Sequence, residues 1–339
     1  MSDHLNHQTM SAAVLETFGA PIPLKQVARP VAGPGQVLVR IHASGINPLD
    51  LKIAAGQAAH AKVTLPSIPG IDVAGVVEAV GPGVSQFKPG DEVYGMAGGV
   101  GGVPGTLAQY GAFDADLLAI KPANMSMHEA ATVPLIFITA WEGLVDRARV
   151  QTGDTVLVHG GAGGVGHIAV QLARAFGATV YATGKAASKA AIEAAGATAI
   201  DYENLTPPEY VEQYTGGNGY DIVYDTVGGA TLDHAFRAAR LYGGHVVSCL
   251  GWGTHALAPL SFRAATYSGV FTLLPLLSGK GRASHGAILR AATGLIEAGK
   301  VTIRTDPRRF GLDGIAGAYH AASDGSAQGK LAIDIVQEG

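Results

Sequence analysis

Three glycines with a spacing suited to phosphate binding stand between an apolar run and a helical pattern. Gly161, Gly163 and Gly166 follow TVLVHG and lead into HIAVQLARAFGA. In the order strand, G-x-G-x-x-G, helix, residues without side chains permit a tight turn and let a pyrophosphate approach the amides of the helix N-terminus. The alternative is a tight turn without a ligand. The predicted dinucleotide contacts in this turn are Gly161, Gly163, Gly164, Val165 and Gly166.

The next strand-like run, TVYATG, indicates which dinucleotide would bind. No Asp or Glu lies between His167 and Ile192, where NAD-binding chains hold an acid for the ribose 2′-hydroxyl. Lysines stand there instead, and a charge-assisted bond from a lysine to a 2′-phosphate is worth about 1.5 to 3 kcal/mol. We therefore predict NADPH, although solvated lysines at a helix start are the alternative. The predicted contacts are Thr183, Gly184, Lys185, Ser188 and Lys189.

The amino-acid composition excludes several classes of protein. The chain has 339 residues, which is more than one ordinary domain, and a single cysteine, Cys249. One cysteine excludes a disulfide framework and a thiolate zinc cluster within the chain. A net charge of -4 without a basic block argues against binding to nucleic acid or to an anionic membrane. No apolar run approaches the ~18 residues of a membrane span, and no signal peptide is evident, so we expect a cytoplasmic protein.

The pattern of predicted secondary-structure elements changes along the chain. Up to about residue 125, short β-like runs alternate with Pro and Gly, which predicts an antiparallel barrel-like or sandwich unit. From about residue 154 to 275, apolar strands alternate with helical patterns, which predicts a parallel sheet covered by helices. The segment HEAATVPLIFITAWEGLVDRA is predicted as a bridging helix, SGVFTLLP as a late strand, and KLAIDIVQ as the last strand. The predicted fold class is α/β.

The glycine turn, together with ASGINPLDLKIAAG, PGIDVAGVVEAVGPGVSQFKPGDEVYG, AATVPLIFITAWEGL and DIVYDTVGG, resembles the zinc-independent medium-chain dehydrogenase/reductase family. The resemblance is to its quinone oxidoreductase, or zeta-crystallin-like, branch and covers roughly residues 12–336. It implies a GroES-like catalytic domain, residues 1–138 and 278–339, with a Rossmann domain inserted at 139–277 and an active site in the cleft. It also implies a homodimer, formed through the sheet edge near SGVFTLLPLL.

The same resemblance allows the zinc-ligand positions of related enzymes to be compared with this chain. Zinc-dependent relatives place their ligands where this chain has Asn47, the pair Ile71–Asp72, and Leu135 with Ile136. Catalytic zinc needs three protein ligands, and the four-cysteine lobe of structural zinc has no counterpart here. We therefore expect no metal.

Without a Lewis acid, hydrogen-bond donors must stabilise the charge that develops on a substrate oxygen. By resemblance, Asn47 is the donor, although Asn before Pro also starts turns. Relatives carry a Tyr where this chain has Lys52, which is a candidate proton donor or an exposed lysine. Asp50 would position its neighbours or cap a turn. Thr139 would approach the nicotinamide or pack in a helix.

Further cofactor contacts come from strand ends and from the resemblance. Asp225 closes the run DIVYD at the sheet edge where ligands bind. Gly251 ends the next strand, in SCLGWG. By resemblance, the backbone around Phe271 would hold the carboxamide of the cofactor and Lys330 would reach the cofactor, with an exposed lysine at a strand start as the alternative for Lys330. Four aromatic or sulfur-containing side chains are candidates for the wall of a planar substrate pocket, and the alternative is that they belong to the ordinary core or its rim. They are Tyr94, Met96, Tyr110 and Trp252.

The function that these features predict is NADPH-dependent, zinc-free reduction of quinones or α,β-unsaturated carbonyl compounds. The alternative is an NADPH-binding structural or regulatory protein with little catalytic activity. The expected partner is a small molecule, with no nucleic acid and no membrane.

Overall fold

Short strands and turns dominate the first part of the structure, a computed structural model that describes residues 8–336. The strand β3 has ten residues whose burial alternates in part between two faces, as a half-covered sheet requires. The elements up to residue 131 are β1 (Thr9–Ala13), β2 (Leu24–Ala28), β3 (Gln36–Gly45), α1 (Pro48–Ala54), β4 (Asp72–Val80), β5 (Glu92–Met96), β6 (Tyr110–Asp114), β7 (Leu118–Ile120) and α2 (Met127–Ala131).

Strands and helices alternate in the middle of the chain. One helix continues into a π-helical turn at Glu142–Arg147. The elements are α3 (Pro134–Trp141), β8 (Thr155–His159), α4 (Gly164–Ala175), β9 (Thr179–Gly184), α5 (Lys189–Ala195), β10 (Thr198–Asp201), α6 (Pro207–Thr215), β11 (Ile222–Asp225), α7 (Ala230–Ala238), β12 (His245–Ser248), α8 (Ala258–Ser261) and β13 (Thr266–Gly269).

The last part of the chain returns to helices and two short strands. Its elements are α9 (Leu274–Ser278), α10 (Arg282–Glu297), β14 (Phe310–Gly311), α11 (Ile315–Ser323) and β15 (Ala332–Asp334). Short 3-10 turns lie at Ala59–Ala61, Ala115–Leu117, Ala186–Ser188 and Leu312–Gly314. Across residues 8–336, every helix is too short or too polar to cross a membrane.

The chain divides into two units. Unit 1 comprises the N-terminal part up to Leu135, Leu273–Glu297 and the part from Ile303 onward; unit 2 comprises Ile136–Thr272 and Ala298–Thr302. The predicted boundaries were residues 138 and 277. The small segment Ala298–Thr302 was not anticipated, and it joins unit 2 because the backbone amide of Thr302 donates to Gln171 Oε1 at 2.8 Å.

Unit 1 is built on a seven-stranded sheet in the order β14-β15-β3-β4-β5-β7, with β6 also paired to β3. Its pairings are antiparallel except that of β14 with β15. The register sets Gly45 of β3 opposite both Ala332 of β15 and Asp72 of β4. Residues from three distant parts of the sequence therefore meet at one end of β3.

Unit 2 is a parallel sheet in the order β10-β9-β8-β11-β12-β13. Its central strands are buried, as expected for a sheet with helices on both faces: Val156, Leu157 and Val158 are fully buried. With the β-rich unit 1, this Rossmann-type sheet confirms the predicted fold class.

Two predicted elements were wrong in their extent. The bridging helix is divided into α2 and α3, because Pro134 has no N–H to continue the helical hydrogen bonds and is suited to a first turn. The late strand ends at Gly269, and a helix, α9, begins at Leu274 within the predicted strand, with a proline in its first turn.

Candidate active site

Four buried polar side chains of unit 1 form one hydrogen-bonded network. Lys330 Nζ donates to Asn47 Oδ1 at 2.6 Å and to the carbonyl of Ile46 at 2.5 Å. Asn47 Nδ2 donates to Asp72 Oδ2 at 2.9 Å, and the Asn47 backbone amide donates to Asp50 Oδ2 at 2.8 Å. Asn47, Asp50, Asp72 and Lys330 are each at least nine-tenths buried.

Local structure explains why these side chains meet. Asn47 ends the extended segment after β3 and is the N-cap of α1, with a proline following it and Asp50 in the first turn. Asp72 is the first residue of β4, and Lys330 precedes β15, which pairs with the other edge of β3. Gly45 allows the close packing here, because a Cβ on it would lie 2.1 Å from the carbonyl oxygen of Ala131.

Burial shifts the acid–base properties of the network. Loss of solvation raises the pKa of Asp50 and of Asp72 from 3.8 to about 7, against the opposing influence of Asn47 and Lys330. Burial lowers the pKa of Lys330, while the charges of Asp72 and Asp50 oppose that change. The network therefore combines two carboxyl groups that exchange protons near neutral pH with one ammonium group.

Two members of this region were missed by the sequence analysis. Asp72 was considered only as a zinc-ligand position, although an acid at the start of the apolar run DVAGVV was a visible signal. Within residues 8–336, the buried hydroxyl of Tyr319 in α11 and the buried Asp50 Oδ1 have no hydrogen-bond partner. Burial and then the Asp50 charge hold the pKa of Tyr319 well above its usual value. No local motif marks Tyr319.

The glycine turn of unit 2 joins β8 to α4. A Cβ on Gly166 would lie 2.0 Å from the carbonyl oxygen of Gly160, and one on Gly161 would lie 2.5 Å from Ala182 Cβ. Gly163 is the N-cap of α4 and has no side chain to occupy the helix amides, while Gly164 and Val165 lie in the first turn. The turn also uses Gly160, which the predicted set omitted and whose φ is +76°. The first-turn amides of α4 are suited to a pyrophosphate, whereas the amides of Gly161 and Gly163 donate to the carbonyls of Thr183 and Gly160 and fix the shape of the turn.

The end of β9 supports the same turn. Thr183 is buried; its carbonyl accepts from Gly161 N at 3.0 Å and its hydroxyl accepts from Gly160 N at 3.3 Å. Gly184 ends β9, and Ser188 precedes α5. Lys185 and Lys189 are exposed and form ion pairs with Glu203 and Glu193. Their predicted role toward a 2′-phosphate stays a prediction.

Other predicted residues of unit 2 have partners within the unit. Thr139 Oγ1 lies 3.1 Å from Thr272 Oγ1, which donates to Glu142 Oε2 at 2.9 Å. The Asp225 carboxylate is fully buried and accepts hydrogen bonds from Gly228 N and Ser248 Oγ, so it shapes the loop after β11. Gly251 is exposed after β12, and a Cβ on it would lie 2.2 Å from the Tyr267 hydroxyl.

The remaining candidates are dispersed. Lys52 is exposed on α1 and is not part of the network. Tyr94 and Met96 are fully buried, and the Tyr94 hydroxyl donates to the Leu289 carbonyl at 2.7 Å, as in a core residue. Tyr110 is half-buried beneath the Arg29 guanidinium. Trp252 is half exposed, with its ring edge-on to that of Phe271 at 5.9 Å between centroids.

Hydrogen bonds link the three places where zinc-dependent relatives would hold their ligands. Asp72 accepts from Asn47 through Oδ2 and from the backbone amide of Leu135 through Oδ1, at 2.9 and 3.1 Å. Within residues 8–336, no three His, Cys, Asp or Glu side chains form a group that could hold a metal ion.

The chain is similar to two family models and to known proteins. Residues 33–123 match the model described as alcohol dehydrogenase GroES-like domain, and residues 164–276 match that described as zinc-binding dehydrogenase. NADPH-dependent alkenal/one oxidoreductase, chloroplastic, of Arabidopsis thaliana is 34% identical over 96% of this chain and 79% of that protein. Quinone oxidoreductase of Homo sapiens is 33% identical over 74% of this chain and 76% of that protein.

A solved structure has the same fold. The crystal structure of an alcohol dehydrogenase superfamily protein from Novosphingobium aromaticivorans is 54% identical in sequence, with a TM-score of 0.95. It covers 97% of this chain and the whole of that chain.

Proposed function

Since the chain belongs to the medium-chain dehydrogenase/reductase family, in its quinone oxidoreductase branch, and is an NAD(P)H-dependent oxidoreductase, we propose that it uses NADPH to reduce quinones or α,β-unsaturated carbonyl compounds. The observation that carries the proposal is the buried network of Asn47, Asp50, Asp72 and Lys330. The similarity to an alkenal/one oxidoreductase and to a quinone oxidoreductase supports the substrate class.

The network has the properties that this reduction requires of the protein. When bound, NADPH supplies a hydride. Negative charge then develops on the carbonyl oxygen of the substrate, where an N–H donor lowers the energy of the transition state. Asn47 Nδ2 gives one hydrogen to Asp72 and carries a second. The Lys330 ammonium donates to Asn47 Oδ1. This contact polarises the side-chain amide and makes its N–H groups stronger hydrogen-bond donors.

The same network holds the proton that completes the reaction. Reduction of a carbon–carbon double bond next to a carbonyl consumes one hydride and one proton. Burial raises the pKa of Asp50 and of Asp72 to about 7, so at neutral pH each group is divided between its acid and carboxylate forms and can exchange a proton. We assign these two carboxyl groups, rather than the exposed Lys52, as the proton store.

The test is a substrate panel with matched pairs. Purified protein with a verified fold is mixed with NADPH and with menadione, methyl vinyl ketone or butan-2-one, and loss of NADPH absorbance is followed. We expect turnover of the quinone or the enone and none of the saturated ketone. Turnover of butan-2-one alone would contradict the proposed substrate class. Tight NADPH binding without turnover of any compound would favour the structural or regulatory role.

Cofactor preference has its own test at the end of β9. Because a charge-assisted bond to a 2′-phosphate is worth about 1.5 to 3 kcal/mol, Lys189→Glu should raise the KM for NADPH about tenfold to a hundredfold and spare that for NADH. Lys300→Glu, an exposed lysine of unit 2, is the matched charge control. If NADPH kinetics are equal in both variants, Lys189 has no phosphate role, and the same comparison is then made with Lys185→Glu.

We also propose a homodimer. β13 is an edge strand of the six-stranded sheet, and three of its four residues are exposed, so its free backbone groups are suited to pairing with a second copy. Light scattering should give twice the chain mass of 34.5 kDa. A mass of one chain would contradict this assembly.

A further inference from the structure

Helices α1 and α11 of unit 1 pack together beside the buried polar network. Leu51 of α1 and Tyr319 of α11 both pack against one hydrophobic cluster, whose buried members include Ile46 and Ala318. Asp50 immediately precedes Leu51 in α1 and is itself 2% exposed. The phenol of Tyr319 therefore shares its apolar surroundings with the part of the network that α1 supplies.

Two polar atoms at this place are buried and unsatisfied. Among the described residues, 8–336, neither Asp50 Oδ1 nor the Tyr319 hydroxyl has a hydrogen-bond partner. Burial and then the charge of Asp50 raise the pKa of Tyr319, so the carboxyl group lies close enough to act on the phenol. Buried polar groups are normally hydrogen-bonded, and groups that lack a protein partner are commonly satisfied by a buried water molecule.

The other charged groups around Asp50 and Tyr319 are engaged or exposed. Asp72 and Lys330 act on Asp50 through the network. Asp334 of β15, the strand that packs on α11, is held in ion pairs. The remaining titratable groups of α1, of α11 and of the 3-10 turn before α11 are exposed: Lys52, Asp313 and His320. The Tyr319 hydroxyl is therefore the candidate partner of Asp50 Oδ1.

The two oxygens of Asp50 have different surroundings. Oδ2 accepts a hydrogen bond from the Asn47 backbone amide at 2.8 Å, which favours Oδ1 as the oxygen that carries the proton in the acid form. A phenol and a water molecule each donate and accept hydrogen bonds, so together they can satisfy Oδ1 in both protonation states. The ionised state gains more, because a hydrogen bond to a charged oxygen is stronger than one to a neutral oxygen.

We propose that one buried water molecule joins the Tyr319 hydroxyl to Asp50 Oδ1, and that Tyr319 is thereby a positioning residue that sets the proton affinity of Asp50. A water molecule is needed because the two side chains make no direct hydrogen bond. Tyr319 acts through Asp50 and does not touch the substrate. The inference rests on the proposed function, in which Asp50 belongs to the proton store.

The first test is a titration of Asp50 in Tyr319→Phe, which removes the hydroxyl and keeps the ring. In whole protein labelled with carboxyl-¹³C aspartate, the resonance of Asp50 is assigned by its loss in Asp50→Asn. Its titration midpoint should move upward by about one pH unit, because ionised Asp50 loses a charge-assisted hydrogen bond. An unchanged midpoint would overturn the proposal, whatever the activity of the variant.

The matched control is Tyr210→Phe in unit 2. It also removes a buried tyrosine hydroxyl that lacks a hydrogen-bond partner within the described part of the chain, but one that belongs to another hydrophobic cluster. The Asp50 midpoint should be the same in this variant as in the wild type. Equal shifts in Tyr210→Phe and Tyr319→Phe would refute a specific link between Tyr319 and Asp50.

The pH profile of kcat separates this inference from the proposed function. If Asp50 supplies the proton, activity falls as Asp50 ionises, and the alkaline limb of the profile should move upward in Tyr319→Phe together with the NMR midpoint. A midpoint that moves while the kinetic limb stays would support the role of Tyr319 and contradict Asp50 as the proton store.

The water molecule can also be observed directly. A high-resolution crystal structure of the wild-type protein should show one water within about 3.2 Å of both Asp50 Oδ1 and the Tyr319 hydroxyl. In Tyr319→Phe the same water should lose its density, because it keeps too few polar partners. A wild-type structure without this water would overturn the bridge.

Discussion

Gly166→Ala should abolish NADPH binding, with a dissociation constant raised at least about a hundredfold, because a displaced turn loses several phosphate hydrogen bonds at once. The added Cβ would lie 2.0 Å from the Gly160 carbonyl oxygen, so the turn between β8 and α4 must move. Fluorescence titration with NADPH measures the loss, and circular dichroism shows whether the variant is folded.

The chain offers graded controls for this substitution. Gly294 lies in helix α10, and a Cβ there meets nothing within 4 Å. Gly294→Ala should therefore bind NADPH normally and be stabilised by about 0.5 to 1 kcal/mol. Gly163→Ala, with a contact of 3.2 Å to Gly160, should give an intermediate affinity even if Gly166→Ala fails to fold. Normal binding by both turn variants would show that this turn does not hold the cofactor.

Lys330→Met should lower kcat by at least about a hundredfold, a loss comparable to that of one oxyanion donor. The substitution removes the ammonium group that donates to Asn47 Oδ1 and leaves Asp50 and Asp72 buried without their compensating charge. Breaking such a buried interaction costs about 3 to 5 kcal/mol of the free energy of unfolding. Steady-state kinetics and urea unfolding measure the two effects.

The stability loss should depend on pH in a defined direction. Folded Asp50 and Asp72 have raised pKa values, so they bind protons that the unfolded chain releases above pH 3.8, and their contribution to stability falls as pH rises toward about 7. Without Lys330 these pKa values rise further, and the decline continues to higher pH. The variant should therefore be closer to the wild-type stability at pH 6 than at pH 8.

A control separates this effect from loss of any lysine. Lys280→Met removes an exposed lysine of unit 1 and should change neither kcat nor the pH dependence of stability. If the Lys330→Met deficit is the same at pH 6 and pH 8, the ammonium group does not compensate the buried carboxylates.

Local sequence patterns predicted the parts of the fold that depend on local rules. Alternating apolar strands and helices identified the parallel sheet, and G-x-G-x-x-G located the turn at Gly161 to Gly166. The proline inside the predicted bridging helix was the visible sign that this helix would be divided at Pro134.

The polar network was predicted only in part, because its contacts are not local. Asn47 and Asp50 share one short motif and were both identified. Their connection to Lys330 depends on the pairing of β15 with β3. This pairing cannot be predicted from the hydrophobic periodicity of the sequence. Burial, which gives Asp72 its raised pKa, also depends on the complete unit rather than on neighbouring residues.

The contact between Lys330 and Asn47 spans 283 positions of the sequence. Unit 2, nearly continuous from Ile136 to Thr272, can complete its sheet during synthesis, whereas unit 1 must wait for β15. Closing so long a loop is slow. A ribosome stalled before residue 330 would therefore carry a chain with a formed nucleotide turn, an incomplete β-sheet and two acidic side chains that still lack their ammonium partner.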